Sequence, residues 1–244
     1  MMLYNVNDTH VGRSLAVYGE WCEAEVGIFA QILRKGDVAI DVGANIGAHT
    51  LAIAKLVGPR GTVVAFEPQR VVFQTLCANV ANNSLPNVFC YHSAVGQTPG
   101  AILVPPLEPR ARQNFGAFSV GGYEQGEPVG VVRLDDFLLR ACRLIKIDVE
   151  GMEPAVLHGA EGLIRKFMPV LYVENNRPNQ SRELIRHIHL LGYDLYWHEP
   201  ALFNPDNFRN YPHDVFDGER AQNMLCWPTQ SHMNIVGLRP VDVG

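Results

Sequence analysis

The stretch that decides the fold is Val38-Ala39-Ile40-Asp41-Val42-Gly43-Ala44-Asn45-Ile46-Gly47. Its first half, 38–42, is a short run rich in β-branched residues, and an amphipathic segment follows from about Ile46 to Gly58-Pro59. A strand, a glycine turn and a helix in this order are typical of the first unit of a parallel α/β sheet. Glycines in such a turn let the backbone approach a ligand closely, and the helix N-terminus offers free N–H groups to it.

The alternation of short β-rich runs with amphipathic stretches continues outward from this turn. The runs that predict further strands lie at 62–66, 88–92, 144–148, 170–174, 193–197 and 234–238. Amphipathic stretches separate most of these runs, so the pattern predicts an α/β fold with a mostly parallel sheet and helices on both of its faces. No repeat or linker interrupts the chain, which predicts a single domain over 1–244.

Three segments lie outside this alternation. Residues from about 20 to 34 predict an amphipathic N-terminal helix that covers the cofactor entrance or one sheet edge. Two long aperiodic segments, 96–128 and 198–232, are predicted to form lid or substrate loops, because long loops in a compact domain are usually functional.

Composition narrows the function classes. The net charge of −5 argues against a nucleic-acid partner, which usually requires a basic face. No apolar run is long enough to span a membrane, and the N-terminus lacks a signal-peptide pattern. The cysteines are scattered and odd in number, as expected of reduced thiols in a cytoplasmic protein: Cys22, Cys77, Cys90, Cys142 and Cys226. Oligomeric state is left open.

The glycine turn selects among nucleotide cofactors. Its order is D-x-G-x-N-x-G, so Asn45 stands where the dinucleotide fingerprint G-x-G-x-x-G has the glycine that admits a pyrophosphate. This substitution disfavours NAD. The turn instead resembles the nucleoside-binding turn of class I methyltransferases, which implies that Asp41, Gly43, Asn45 and Gly47 hold S-adenosylmethionine.

The ends of the next two strands complete a candidate nucleoside site. Glu67, followed by Pro68, lies about 20 residues past the turn, where an acid can accept hydrogen bonds from both ribose hydroxyls. Ser93 and Ala94 end the third strand, beside the expected position of the adenine.

A resemblance to one family joins these features. Leu144 to Glu153 (LIKIDVEGME) resembles the I-K-I-D-V-E-G-x-E block of the FkbM family of methyltransferases. Asp41 to Thr50 (DVGANIGAHT), Phe66-Glu67-Pro68 and Arg133 to Phe137 (RLDDF) are similar to further blocks of that family. The resemblance extends over about 35 to 191 with the order of the blocks intact.

The resemblance carries expectations of its own. It implies a Rossmann-like class I methyltransferase fold with a seven-stranded sheet whose last strand is antiparallel. It also implies methyl transfer from S-adenosylmethionine, often to a hydroxyl of a sugar, glycan or natural product.

Three acids at the carboxyl ends of strands are the candidate catalytic residues. Ligands bind at these ends in open α/β sheets, where Asp148, Glu150 and Glu174 should lie. Asp148, next to the expected methyl group, is a candidate general base and a cofactor contact. Glu150 can point the same way two residues later. A divalent cation held by the three acids is an alternative that is not favoured.

Other residues carry weaker expectations. His49, on the first turn of the helix, is expected to be satisfied or solvated more often than to line the pocket. Asn114-Phe115-Gly116, Tyr123 and Trp227 either form a substrate lid or are ordinary packing residues.

Three alternative functions remain open. A nicotinamide-dependent oxidoreductase is disfavoured by Asn45. A nucleic-acid methyltransferase is disfavoured by the acidic net charge and by the absence of an aromatic-plus-proline catalytic tetrapeptide. A non-catalytic partner that binds S-adenosylmethionine would keep the cofactor turn while its acid cluster was occluded or unpaired.

Overall fold

The computed structural model describes residues 1–117, 123–231 and 237–244. In chain order the strands are β1 (Val38–Val42), β2 (Thr62–Phe66), β3 (Val88–Tyr91), β4 (Ala94–Val95), β5 (Gly100–Val104), β6 (Glu127–Val132), β7 (Leu144–Ile147), β8 (Val170–Glu174), β9 (Tyr193–His198), β10 (Asn223–Pro228) and β11 (Arg239–Pro240). The α-helices are α1 (Val11–Val17), α2 (Glu23–Ile32), α3 (Ala48–Val57), α4 (Arg70–Asn82), α5 (Glu153–His158), α6 (Glu161–Phe167) and α7 (Pro178–Leu190).

The main sheet has the strand order β11-β9-β10-β8-β7-β1-β2-β3. Strands β3, β2, β1, β7 and β8 pair in parallel, and β10 is antiparallel to both β8 and β9. The α/β class and the mostly parallel sheet are therefore confirmed. The sheet has an eighth strand beyond the expected seven, because the two-residue β11 pairs with the outer edge of β9.

One of the two antiparallel strands lies where the sequence pattern predicts no strand. It is β10, inside the segment 198–232 that was predicted to be a loop, and the prediction for 198–232 is wrong in that part. All six residues of β10 are buried, so its sequence lacks the alternation that identifies a half-exposed strand. Of the predicted strand 234–238, residues 234–236 lie outside the described residues.

The segment 96–128 is also partly ordered into strands. β5 pairs antiparallel with β6, and β6 pairs in parallel with β4, which forms a small three-stranded sheet. Residues 118–122 of the predicted lid lie outside the described residues.

The helices agree broadly with their predicted places. The N-terminal helix predicted at about 20–34 is α2, and it is preceded by the short α1, which the sequence pattern did not indicate. Helix α7 begins at Pro178, a residue type that is well suited to the first turn of a helix. No helix in the described part of the chain is long and apolar enough to cross a membrane.

Two apolar layers enclose the sheet. On one face, Ile40, Ile145 and Ile147 pack against residues of α5, α6 and α7 such as Leu157 and Ile188. On the other face, the strands pack against α2, α3 and α4 through Phe29, Ile53 and Leu76, with Ala39, Val63 and Leu144 beneath them. Since side chains alternate along a strand, Asp41 and Lys146 point towards this second layer.

Candidate functional site

A cavity of about 580 Å³ lies at the carboxyl ends of the parallel strands. Its walls come from the turns after β1, β2 and β7, from the end of β8, and from the start of β10. Helices α2 and α3 and both aperiodic segments also contribute residues. The polar residues that line it include Glu25, Asn45, His49, Glu67, Asn114, Lys146, Asp148, Glu150, Glu174, Arg220 and Asn223.

The glycine turn is shaped by close contacts and by left-handed backbone. Gly43 has φ of 80°, and a Cβ there would collide with the carbonyl oxygen of Asp148. Asn45 also has a positive φ, 50°, which asparagine tolerates better than most residues. Both line the cavity. Gly47 does not line it: this residue precedes α3, where a Cβ would lie 2.7 Å from Leu76 Cδ1.

A buried ammonium group holds the ends of β1 and β7 together. Lys146 Nζ lies 3.4 Å from Asp41 Oδ1, 3.2 Å from Asp148 Oδ2 and 3.4 Å from the carbonyl oxygen of Gly43. Burial by itself would lower the pKa of Lys146, but the carboxylates of Asp148, Asp41 and Glu25 outweigh burial and raise it. The lysine is therefore charged.

Asp41 forms an ion pair with this lysine and does not line the cavity. Its side chain is fully buried, and its second oxygen accepts a hydrogen bond of 2.6 Å from Thr50 Oγ1. Because Lys146 and Thr50 lie against its two oxygens, this geometry does not support a contact between Asp41 and a cofactor, and that contact stays a prediction.

Glu67 is buried beside the glycine turn. Its Oε2 accepts a hydrogen bond of 2.9 Å from the Asn45 N–H, and its Oε1 accepts one of 2.8 Å from the Gln69 N–H. Burial raises the pKa of Glu67 to about 7, against the opposing effect of these hydrogen bonds. The carboxyl group thus joins the end of β2 to the turn after β1 and still faces the cavity.

A small pocket adjoins the cavity. Pro68 lines both, as does Gly43, while Ser93 and Ala94 line the small pocket with Met152. Ser93 Oγ is buried without a hydrogen-bond partner among the described residues. The residues predicted to surround an adenine are therefore together, next to Glu67.

The three predicted catalytic acids meet at the cavity wall. Burial and the neighbouring Asp148 raise the pKa of Glu150 to about 7, and Arg177 Nη2 donates a hydrogen bond of 3.1 Å to Glu150 Oε2. Glu174 accepts a hydrogen bond of 2.8 Å from Asn176 Nδ2. Burial and the carboxylate of Asp148 raise the pKa of Glu174 to about 10, so this side chain carries a proton near neutral pH. Asp148 remains 42% exposed to the cavity although it contacts Lys146.

Glu25 is a cavity residue that the sequence motifs did not indicate. This residue of α2 lines the cavity, is 4% exposed, and accepts a hydrogen bond of 3.0 Å from Asn223 Nδ2 of β10. Burial raises the pKa of Glu25 to about 8. A signal was present, because Glu25, Phe29 and Ile32 are spaced i, i+4 and i+7, which places a carboxyl group on the buried face of the helix.

His49 lines the cavity beside Glu25, contrary to the expectation that favoured a satisfied or solvated side chain. Its Nε2 lies 3.6 Å from Glu25 Oε2 and has no hydrogen-bond partner within the described residues. Burial, with a smaller effect of Lys146, lowers the pKa of His49 well below its ordinary value, so the imidazole is neutral.

The residues proposed for a lid separate into two groups. Asn114, Phe115 and Gly116 line the cavity, whereas Tyr123 does not. Trp227 is buried within β10, where Arg143 packs over its ring at 5.6 Å, and it does not line the cavity. Trp227 is thus a packing residue, and the tryptophan that lines the cavity is Trp21.

The three cavity acids do not form a compact metal-ligand cluster. In the described ranges, the one group of three His, Cys, Asp or Glu side chains with ligand atoms within 4.8 Å of one another is His158, Glu161 and His187. None of these three lines the cavity.

The cavity has an excess of carboxyl groups. The acids that line it are Glu25, Glu67, Asp148, Glu150, Glu174 and Glu219, whereas the lining lysine and arginine are Lys146, which Asp41 and Asp148 already engage, and Arg220. Such a wall favours a ligand that brings positive charge and hydroxyl groups.

A family model and a curated relative both relate this chain to the FkbM methyltransferases. A family model described as Methyltransferase FkbM domain matches residues 41–195. The 31-O-demethyl-FK506 methyltransferase FkbM of Streptomyces tacrolimicus is 34% identical over 160 residues, 53% of this chain and 61% of that protein. Methyltransferase 1 of Beauveria bassiana is 27% identical over 145 residues, 50% of this chain and 57% of that protein. The chain thus spans about three fifths of the length of these two relatives.

A solved structure extends the likeness to the fold. The crystal structure of Methyltransferase FkbM from Methylobacillus flagellatus KT matches with a TM-score of 0.55 at 16% identity. The match covers 83% of this chain and 50% of that one. It supports the class I methyltransferase fold.

We expect Lys146→Met to lower the free energy of unfolding by about 3–5 kcal/mol, because Asp41 would be left as an uncompensated buried charge. Denaturation in urea measures this loss. The double variant Asp41→Asn with Lys146→Met should lose less free energy of unfolding than Lys146→Met alone, because the buried negative charge is removed as well. The control is Lys55→Met at an exposed position of α3, and equal losses in the two lysine variants would contradict the prediction.

Stability should fall as pH rises from about 5 to 8. Glu25 has a folded-state pKa of about 8 against an ordinary value of 4.5, so the folded protein binds a proton there that the unfolded chain has released. The stabilisation by Glu25 is complete below its ordinary pKa of 4.5 and is lost as pH rises through its folded-state pKa of about 8. In Glu25→Gln this part of the slope, up to about 1.4 kcal/mol per pH unit, should disappear.

Urea denaturation between pH 5 and 8 measures the slope in the wild type and in Glu25→Gln. The control is Glu183→Gln, at an exposed position of α7. An unchanged slope in Glu25→Gln would show that the buried carboxyl group does not titrate in this range.

Proposed function

Because this chain belongs to the Methyltransferase FkbM domain family, we propose that it binds S-adenosylmethionine and transfers a methyl group to a hydroxyl of a sugar, glycan or natural product. The observation that carries the proposal is Glu67, buried against the Asn45 N–H at the mouth of the glycine turn. This is the arrangement that a nucleoside needs: a close-approaching turn and an acceptor for a ribose diol at the end of the next strand.

The residues present fit this cofactor. A carboxylate offers about four acceptor positions, so Glu67 keeps free lone pairs for ribose hydroxyls after it has bound the Asn45 and Gln69 N–H groups. Ser93 Oγ, buried and unpartnered among the described residues, offers a hydrogen bond to the adenine. Gly43 and Asn45 of the glycine turn lie on the wall of the same cavity.

The charge of the cavity distinguishes this cofactor from a dinucleotide. S-adenosylmethionine supplies an electrophilic methyl group on a positively charged sulfur, and it also carries an ammonium group. Asp148 would attract these cations and would repel a pyrophosphate, and a bound cation would also favour the ionised form of the neighbouring Glu25. The excess of acids therefore supports S-adenosylmethionine over NAD.

Asp148 is proposed as the general base. It is exposed to the cavity and anchored by Lys146, while Glu150 is held by Arg177 and Glu174 carries a proton near neutral pH. The acceptor hydroxyl would give its proton to Asp148 while its oxygen forms the bond to the methyl group and the carbon–sulfur bond breaks. Protonated Glu174 would act as a hydrogen-bond donor, and Glu150 would position Arg177.

The choice of a hydroxyl acceptor rests on one relative and on the cavity wall. The relative from Streptomyces tacrolimicus is named for methylation of a 31-O-demethyl compound, which is an oxygen acceptor. Trp21 and Phe115 provide aromatic surface, while Asn114 and Gln222 provide hydrogen bonds, a mixture that suits a polyhydroxylated ligand. The net charge of −5 favours such a ligand over a nucleic acid.

We expect Glu67→Gln to weaken S-adenosylmethionine binding by about tenfold to a hundredfold, because the substitution removes a charged hydrogen-bond acceptor. Isothermal titration with S-adenosylmethionine, S-adenosylhomocysteine and NAD⁺ measures this, with Glu183→Gln as the control. Binding of NAD⁺ alone by the wild type would reject the proposed cofactor. Unchanged affinity in Glu67→Gln would reject the ribose assignment.

Asp148→Asn should leave S-adenosylmethionine affinity within a few-fold and slow methyl transfer by about 10²–10⁴-fold, the usual contribution of a general base. Initial rates are measured with radiolabelled cofactor on an acceptor found by screening sugars and hydroxylated natural products. The companion variant is Glu150→Gln, which should slow the reaction less, because Arg177 already engages that carboxyl group. Full activity of Asp148→Asn would remove it as the base.

A further inference from the structure

Three metal-ligating side chains meet on the face of the sheet covered by α5, α6 and α7. His158 is the last residue of α5, Glu161 is the first residue of α6, and His187 lies on α7. His158 Nδ1 and His187 Nε2 each lie 3.2 Å from the same oxygen, Glu161 Oε1. The three side chains take no part in the cavity or in the proposed methyl transfer.

Local sequence and core packing together create this meeting point. Gly159 separates α5 from α6, so His158 and Glu161 face each other across a short break at i, i+3. Ile188, buried in the core with Leu157 of α5, fixes α7 against this break and brings His187 over it. The imidazole rings of His158 and His187 lie with their centroids 4.2 Å apart.

The spacing of the ligand atoms suits a small divalent ion. With bonds of about 2.0–2.1 Å, the ligand atoms of a tetrahedral zinc site are roughly 3.3 Å apart, close to the two observed distances to Glu161 Oε1. Arg165 Nη2 lies 3.5 Å from the other carboxylate oxygen, Oε2, which leaves Oε1 facing both rings.

We propose that His158, Glu161 and His187 form a binding site for one Zn²⁺-class transition-metal ion, through His158 Nδ1, His187 Nε2 and a Glu161 oxygen, with water completing the coordination. Two imidazole ligands select Zn²⁺ or Co²⁺ over Mg²⁺ and Ca²⁺, which prefer oxygen ligands. The side chains of His158 and Glu161 are 41% and 36% exposed, so an ion reaches them from solvent.

The bound ion would join α7 to α5 and α6 on the side of the sheet remote from α2 and α3. Its role would be structural, because the cavity lies at the ends of the strands and draws no residue from this cluster. An ion that binds the folded state but not the unfolded chain raises the free energy of unfolding.

The test uses the full chain purified without a histidine tag, since a tag would bind the same ions. Titration with Zn²⁺ should show one site, and Co²⁺ should give the visible absorption band of a tetrahedral site without the near-ultraviolet band of thiolate ligands. His158→Gln, Glu161→Gln and His187→Gln should each weaken Zn²⁺ binding at least about tenfold, because each removes a direct ligand.

His189→Gln is the matched control. This residue lies on α7 like His187, but its ring contacts the Tyr193 carbonyl oxygen instead of the cluster. Zn²⁺ should raise the unfolding temperature of the wild type and of His189→Gln but not of His187→Gln. Folding of each variant is verified by circular dichroism. A wild type that does not bind Zn²⁺, or binding that persists in His158→Gln and Glu161→Gln, would overturn the proposal.

Discussion

The ion pair between Lys146 and Asp41 connects β1 to β7 at the point where both strands end. An ammonium group in this position would be very costly without partners, and Asp41, Asp148 and the Gly43 carbonyl oxygen supply them at 3.2–3.4 Å. The same contacts hold the backbone of the glycine turn and the carboxyl group of Asp148. The geometry of the cavity wall therefore depends on one buried cation within the sheet.

Carboxyl groups outnumber cations around that lysine. Burial raises the pKa values of Glu25, Glu67 and Glu174 to about 8, 7 and 10, so the folded chain keeps protons that an unfolded chain would release. A ligand with positive charge would reverse part of this shift, because an opposite charge favours the ionised carboxylate. These carboxyl groups therefore lower the free energy of unfolding near neutral pH, and they also give the cavity affinity for a cation. This combination is common in binding sites.

The sequence pattern predicts the bounds of a strand correctly where the strand is a short β-rich run with a clear break on either side. The runs at 38–42, 62–66 and 170–174 were predicted with their observed bounds, because each is a short β-rich run between clear breaks. The pattern predicts a loop where the fully buried β10 lies, because covering both of its faces removes the alternation and its neighbours in the sheet are distant in sequence. Its misplacement also led Trp227 to be considered for a lid.

The amino-acid sequence by itself determined the α/β class, the glycine turn and the positions of Glu67, Asp148, Glu150 and Glu174 at strand ends. These follow from short-range periodicity and from the rule that ligands bind at the carboxyl ends of parallel strands. Only the tertiary structure decided that Asp41 binds Lys146, that Glu25 meets Asn223 across 198 positions, and that three ligating side chains converge around Glu161. The physical reason is that contact, burial and pKa depend on neighbours that packing, not sequence proximity, brings together.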